Sequence, residues 1–567
     1  MGEGDFDVVV LGTGLVESMT AAALSKAGFK VAHLDVNPYY GGDEASLSPE
    51  ELIQWADQRL SPQNASPYMT SQRVKYTSVQ HSSVIPDHAR HYSISLCPSL
   101  IPSTGSLISS LVASGVSRYG GYRLLERVGI YDRATGIRNV PGSKEDVFKS
   151  KEMSLVGKRR LMRFLLFASG DFENSSELQG KTEVPFLAFL KDVWSLEQQV
   201  SEAIAYALAF CVSPEDQTLL ALTRLRRYLR SSGRYGASPF LVGHYGGLGE
   251  IAQGFCRVSA VNGGVYILGR KVNSITQPTE TEDPSDDKGR YVVDLDDFPE
   301  HLTTDLIISS PDLLPENLRK ISSVPPAQGP SMTQSVARCI AILDAPPQFP
   351  ATLTPETTES STETEEGPTQ SHDKPIDTSV IVFPPSSIAD GSDTVALHAF
   401  ITGEGSMSAP KGKYIAYLSL LLENSNSSAS TETILKPYLD AIISLSKSSS
   451  SSSVDSEATL ASDPLFTMYY TQHPTLTPTP ATSNTPPTIL VSPSIPYDLA
   501  ECADAASTAA ESLFLRTVEV HKARHPEAWV VGTTGDKEVG SGGDVFEEIK
   551  AFWPPLDGEP DEEMEEW

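Results

Sequence analysis

Residues 8–35, VVVLGTGLVESMTAAALSKAGFKVAHLD, constrain the fold of this chain more than any other stretch. Small and β-branched residues predict a strand over about 7–11, and Gly12-Thr13-Gly14 a tight turn. A helix over 15–27, ending near Gly28, and a second strand over 30–35 complete a β-α-β unit. Such a unit with G-x-G-x-x-G lays a pyrophosphate on the helix N-terminus. Here the third glycine is missing. Glu17 stands in its place, where its bulk crowds helix–strand packing and its carboxylate competes with phosphate for the positive end of the helix. Asp35 keeps the position of a ribose-binding acid. Gly12, Gly14 and Glu17 read as a vestigial dinucleotide motif, and the expectation is that no cofactor is held. A plain tight turn accounts equally well for the two glycines.

The rest of the chain alternates in character. Residues 104–115 and 152–232 carry helical periodicity. VGKRRLMRFLLFAS places Leu161, Met162, Leu165 and Leu166 on one face, away from Lys158, Arg159 and Arg163. SLEQQVSEAIAYALAF aligns Val200, Ile204, Ala207, Leu208 and Cys211. SPEDQTLLALTRLRRYLRSSG offers Ser213 as N-cap, Pro214 at the first position and Gly233 as stop. From Gly246 onward a helix in LGEIAQGFCRVSAVNGG precedes a series of strand candidates, among them YVVDLD, DLIISS, ARCIAILDA, TSVIVFPP and LFTMYYTQ; residues 498–523 return to helix. The predicted fold class is α/β (α+β): a discontinuous Rossmann-type domain with mixed sheets, 1–115 and 233–530, into which a smaller, mainly helical domain, 116–232, is inserted. Residues 354–374, 445–457 and 474–487 are expected to be disordered insertions, and 557–567 an acidic tail.

Charge and cysteine usage narrow the function. With 73 acidic against 43 basic residues, a net charge of −30, the chain lacks the basic footprint of a nucleic-acid binder. Five scattered cysteines without a C-x-x-C pair imply reduced thiols, and the expected compartment is cytoplasmic. The acidic MGEGDFD start is not a signal peptide, and no apolar run has the length of a membrane span. Neither a nucleophile elbow, a zincin motif nor a P-loop is present, and His81, His88 and His91 lack the Cys or acidic neighbours of a metal site. No catalytic residue and no metal is expected.

Several blocks together resemble one family. FDVVVLGTGLVESMTAAALSKAGFKVAHLDVNPYYGGDEASLS is similar to the first conserved region of the Rab GDP-dissociation inhibitor and escort protein superfamily, whose fold is related to FAD-dependent monooxygenases. Further blocks follow in order at 100–119, 156–168, 233–268 and 412–417. VESMTAAALSKAG and the ending of YYGGDEASLS look more like the escort branch than the inhibitor branch. The resemblance implies a non-catalytic accessory subunit of Rab geranylgeranyltransferase. Such a protein binds newly made, GDP-bound Rab GTPases, presents them to the transferase heterodimer and holds the geranylgeranylated product until transient membrane delivery.

The resemblance also implies roles for particular residues. The Rab-binding platform maps to Tyr40, Glu250 and Arg257, with Tyr39, Gln253 and Arg118 as weaker neighbours. Tyr and Arg are common interface hot spots, and Arg pairs bidentately with carboxylates. The plain alternative is that Tyr40 packs at a turn while Glu250 and Arg257 pair along their own helix. The helical region is the family's lipid-binding part, with Leu161, Phe164, Leu165, Ala203 and Ala207 as candidate prenyl contacts; an ordinary bundle core is the other reading of the same residues. The approach FLVGHYGGLG, the tripeptide Ile251-Ala252-Gln253 and Asn262 depart from the family pattern and put the start of the platform helix in question. Two other functions stay open at this point: a dissociation inhibitor recycling prenylated Rabs, and a flavin-dependent oxidoreductase that tolerates Glu17.

Overall fold

The β-α-β unit forms where the apolar pattern places it. In the computed structural model, which describes residues 4–62, 66–140, 154–276, 290–315, 318, 334–350, 375–422, 429–446, 463–475, 488–529, 549 and 551–553, the strand Asp5–Leu11 lies between Val31–Asp35 and Leu302–Ser309, parallel to both. The expected disordered stretch 354–374 and the acidic tail 557–567 lie outside the described residues, as do 447–457 and 476–487 of the other two. The sheet runs in the order Val265–Leu268, Val31–Asp35, Asp5–Leu11, Leu302–Ser309, Tyr291–Leu295, Val272–Thr276, with Ile489–Val491 also pairing to Leu302–Ser309. Tyr291–Leu295 runs antiparallel to both of its neighbours, so the sheet is mixed.

The helix Leu15–Lys26 is buried from Leu15 through Ser25. A helix that is apolar or small all round belongs in a core. Ala21, Ala22 and Ala23 let it lie close beneath its neighbours, the helices Leu248–Val261 and Cys502–Arg524, the latter lined with Ala503, Ala506 and Ala510.

A second sheet has eight strands, with Ser335–Leu343 and Tyr414–Leu422 paired along their full lengths near its centre. Period-two alternation gives it two apolar faces. Ile340, Ile342, Val380 and Phe466 face a core shared with the helical region, while Cys339, Ala341, Ile381 and Phe383 face the helix Thr431–Leu445.

The helical insertion is smaller than its predicted bounds. Within 116–232, Tyr122–Leu124, Arg127–Asp132 and Gly136–Asn139 are strands, and the first two join the sheets of the larger unit through Phe240–Gly243 and Thr378–Phe383. Among the described residues the helices run from Leu155 to Ser231. They share one continuous core with the second sheet, because their inward residues Leu161, Phe164 and Phe189 have no closed core of their own to fill. Ser213 and Pro214 do not open the last of these helices. Thr218–Ser231 begins after Gln217, and the Ser213 hydroxyl instead accepts from the Glu215 N–H within the preceding turn. Gly233, at φ +94°, ends it as expected.

Candidate functional site

Two regions contain the residues singled out by the sequence. The first is the cleft at the Gly12–Gly14 turn, which is open to solvent. Glu17, Asp35, Asp43, Glu44 and Asp312 line it, with Lys75 among them. Asp35 is fully engaged by its own chain. Thr13 donates to one carboxylate oxygen from its N–H (2.8 Å) and hydroxyl (2.7 Å), and Asn37 to the other from its N–H (2.8 Å) and amide (3.0 Å). The N–H of Leu15, at the start of the first helix, donates to the carboxylate of Glu44 at 3.2 Å. Glu17 accepts from the Ser492 hydroxyl at 2.5 Å. A Cβ on Gly14 would meet Glu17 Oε2 at 2.6 Å and Glu44 Oε2 at 3.1 Å, so both carboxylates converge on the helix N-terminus.

Burial dictates the charge state of these groups. It pushes the Glu17 carboxyl up to about 7 and, with Asp43 and Glu17 nearby, that of Glu44 up to about 8. Burial also works against ionising Asp43, but Lys75 outweighs it and holds that carboxyl below its usual range. Lys75 pairs with Asp43 and, at 3.2 Å, with Asp312. Burial lowers the His33 imidazole to about 4, so it sits neutral against the Gly12 carbonyl and the Tyr266 hydroxyl. The helix-start N–H of Leu15 and the carboxylate of Asp35 are thus both engaged by groups of the chain itself.

The second region is the helix Leu248–Val261 and its flanks. Leu248, Ile251, Ala252, Phe255 and Val258 are buried, whereas Gln253 and Arg257 are exposed and Glu250 is half-buried. Steps of three and four residues put Glu250, Gln253 and Arg257 on one outward stripe. Gly247, with φ +85° and ψ −102°, caps the helix, which starts at Leu248 and puts Glu250 in its first turn. An acid there is stabilised by the helix dipole. The Y-Y-G-G turn is locked to this helix. A Cβ on Gly41 (φ +96°) would lie 3.2 Å from Gly249 Cα, and one on Gly249 would lie 2.7 Å from the Glu44 carbonyl oxygen.

The two tyrosines of that turn have different surroundings. Tyr39 packs against the large core, and burial raises its phenol to about 12. Tyr40 is only partly covered and meets Tyr266 edge-to-face at 5.9 Å. On the other flank, Arg257 lies over the ring of Tyr119 at 4.4 Å and does not pair with Glu250 along the helix. The turn Val116–Arg118 presses on Gly254, where a Cβ would come within 2.8 Å of Val116, and this brings exposed Arg118 alongside.

Glu250 lines a shallow hollow with Tyr119, Tyr122 and His244. Burial alone raises its carboxyl, which has no cation partner among the described residues. Tyr122, whose phenol burial pushes up to about 12, keeps a buried hydroxyl there with no hydrogen-bond partner among the described residues. The sequence reading did not single out Tyr119, Tyr122, His244, Glu44 or Ser492. The aromatic spacing of SRYGGY beside Arg118 was the available signal for the first two.

The lipid candidates Leu161, Phe164, Leu165 and Ala207 are buried in one cluster, and Ala203 is half-buried outside it. Phe164 packs on Trp194 at 5.5 Å and on Phe186 at 6.3 Å, and Ala203–Leu208 is wound as a π-helix. Among the described residues, no group of His, Cys, Asp and Glu could hold a metal, and no helix is long and apolar enough to cross a membrane.

Comparison with known proteins places this geometry. The chain is 36% identical over 286 residues to the Rab proteins geranylgeranyltransferase component A of Drosophila melanogaster, covering 48% of this chain and 54% of that one. It is 29% identical over 414 residues to the protein of the same name from Saccharomyces cerevisiae, covering 73% and 61%, and 30% identical to Rab escort protein 1 of Arabidopsis thaliana, covering 49% and 56%. The chain therefore spans between about half and two thirds of the length of these relatives. In fold it is similar to the crystal structure of Rab GDI from Plasmodium falciparum, with a TM-score of 0.59 at 22% identity over 90% of this chain and 98% of that one. An oxidoreductase from Methanosarcina mazei shares the fold at a TM-score of 0.51 and 14% identity, over 90% and 100%. The family model described as GDP dissociation inhibitor matches residues 1–354, more than half of the sequence, and the chain belongs to that family.

Proposed function

We propose that this chain is a Rab escort protein. It binds newly synthesised, GDP-bound Rab GTPases, presents them to the Rab geranylgeranyltransferase heterodimer and holds the geranylgeranylated product in solution until membrane delivery. One observation carries the reading: Glu250, Gln253 and Arg257 form a stripe of polar side chains with no ion-pair partner among the described residues, on a helix clamped to the Tyr40 turn. An unpaired, half-buried acid beside an aromatic-backed arginine suits a polar protein surface that supplies the missing donors and acceptors. The names of the relatives favour the escort role over that of a dissociation inhibitor.

In this reading Tyr40, Glu250 and Arg257 contact the GTPase, with Tyr119, Arg118 and Gln253 at the rim. Tyr39 supports the turn from below. Leu161, Phe164, Leu165, Ala203 and Ala207 line the region that parts to admit the prenyl chain, whose burial is worth about 0.8 kcal/mol per CH₂. The protein performs no chemistry of its own, holds no dinucleotide and works in the cytoplasm. The carboxylates converging on the first helix N-terminus support the absence of a dinucleotide. The test is binding to a GDP-loaded, unprenylated Rab, followed by addition of the transferase and lipid donor. Tight binding with chain-dependent lipid transfer is expected. Binding only to prenylated Rab, without support of transfer, would make the chain a dissociation inhibitor.

A further inference from the structure

The strand Val31–Asp35 ends just before the segment that carries Tyr40, and two of its side chains reach that segment by different routes. Asp35 works on the backbone. One of its oxygens accepts from Asn37, and the other accepts from the Thr13 N–H and hydroxyl. The Thr13 hydroxyl in turn accepts from the Gly41 N–H at 3.1 Å, and the same N–H reaches the Thr13 carbonyl at 3.1 Å. One carboxylate thereby ties both ends of residues 37–41, with Tyr40 between them.

His33 works on the ring. Its Nε2 meets the Gly12 carbonyl, which can only accept, so that nitrogen carries the proton. The neutral imidazole then accepts at Nδ1, and the Tyr266 hydroxyl is the donor at 3.2 Å. Tyr266 lies opposite His33 across a parallel strand pair, with the two rings 4.9 Å apart, and its ring meets that of Tyr40 edge-to-face at 5.9 Å.

We propose that Thr13, His33, Asp35 and Tyr266 are positioning residues for Tyr40: the groups around the glycine turn hold this tyrosine in the pose that meets the GTPase. The inference rests on the reading of Tyr40 as a Rab contact. Ordering a partly exposed tyrosine on a turn with two glycines opposes binding, and a turn already tied at both ends, with its ring seated, removes that cost. Thr13, His33 and Asp35 are buried, so none of them touches a partner, and their effect on affinity passes through the turn and the ring they hold.

The test is a double-mutant cycle on the full chain, read as the dissociation constant for GDP-loaded, unprenylated Rab, with urea unfolding alongside. Thr13→Val removes the hydroxyl that links Asp35 to Gly41, and Tyr266→Phe removes only the hydroxyl that meets His33. Each should weaken binding roughly fivefold while the chain is still fully folded. In a Tyr40→Ala background neither should have a further effect, whereas in a Glu250→Ala background the loss should persist. A merely structural role would lower the urea midpoint and leave the affinity of the folded chain where it is. Where Thr13→Val does not fold, Tyr266→Phe decides alone, because it keeps the aromatic ring. Unchanged affinity overturns the proposal, and so does an equal loss with Tyr40 already removed. A silent Tyr40→Ala would overturn the Rab-contact reading of that residue, and the proposal with it.

Discussion

The cleft at the glycine turn and the stripe on the helix Leu248–Val261 are built from the same kinds of group, and they have opposite hydrogen-bonding states. In the cleft, Asp35 has four donors from Thr13 and Asn37, Glu17 has Ser492, Glu44 has the Leu15 N–H, and Asp43 has Lys75. On the stripe, among the described residues, Glu250 has no cation and Arg257 rests on an aromatic face without an ion pair. Buried polar groups are normally satisfied within the chain, so the cleft has become structure. A half-buried acid left without a partner is a cost that an incoming surface removes. The position of a motif names a fold, but the state of its hydrogen-bonding groups shows where a ligand can still be received.

The largest test of that contrast is removal of the stripe. Glu250→Ala together with Arg257→Ala should weaken binding of GDP-loaded Rab by on the order of 100-fold, about 2.8 kcal/mol, while the urea midpoint barely moves. Equal losses of binding and stability would mean that these residues are structural and that the contrast fails. Next in size is Gly249→Ala. Its Cβ would sit 2.7 Å from the Glu44 carbonyl oxygen and 2.8 Å from the Ser46 nitrogen, both backbone atoms. A loss of about 2 kcal/mol of stability is expected from this overpacking. Rab affinity should fall with it, although Gly249 is itself buried, because the Tyr40 turn is pushed off the helix.

The sequence carried the β-α-β unit well, because a strand–turn–helix pattern with glycines at fixed offsets has few other solutions. Glu250, Gln253 and Arg257 were named from the family resemblance, and it is the helix Leu248–Val261 that sets them on one stripe. The strands Tyr122–Leu124, Arg127–Asp132 and Gly136–Asn139 were not legible. Each is short; the first two are strands through pairing with Phe240–Gly243 and Thr378–Phe383, more than a hundred residues away, and Gly136–Asn139 folds back on Arg127–Asp132. The reach of Glu44 to the Leu15 N–H was hidden in the same way, since it depends on how the turn folds back over the first helix. Glu17 was read as an obstacle to phosphate. In the structure Glu44 also stands at that helix N-terminus, accepting from the Leu15 N–H.

Titration sharpens the comparison from the cleft side. A carboxyl whose folded pKa exceeds its unfolded value binds more protons in the folded state, so stability falls as pH rises between the two. For Glu17 the fall runs from about 4.5 to about 7, and for Glu44 from about 4.5 to about 8. Glu17→Gln or Glu44→Gln should flatten this slope and raise stability at pH 8 by on the order of 1 kcal/mol. Rab binding should keep its wild-type affinity. A slope unchanged in both variants would show that the two carboxyls titrate as solvated groups, and the contrast with the stripe would fail on the cleft side.

The smallest expected effect lies at Gln253, which divides the stripe. It is exposed and neutral, with Glu250, Tyr119 and Tyr122 on one side of the helix and the Tyr40–Tyr266 pair on the other. If the GTPase anchors in the hollow beside Glu250, Gln253 sits at the rim, where truncation of a solvated side chain changes affinity by less than about threefold. Gln253→Ala measured beside Tyr40→Ala and Glu250→Ala therefore locates the centre of the contact. A tenfold loss at Gln253 would move the centre onto the crest of the helix and make the Glu250 hollow peripheral. A near-silent Gln253 with a strong Glu250 effect would mean that the unpaired acid is the anchor, and that Tyr40 acts from the far side as a second, weaker one.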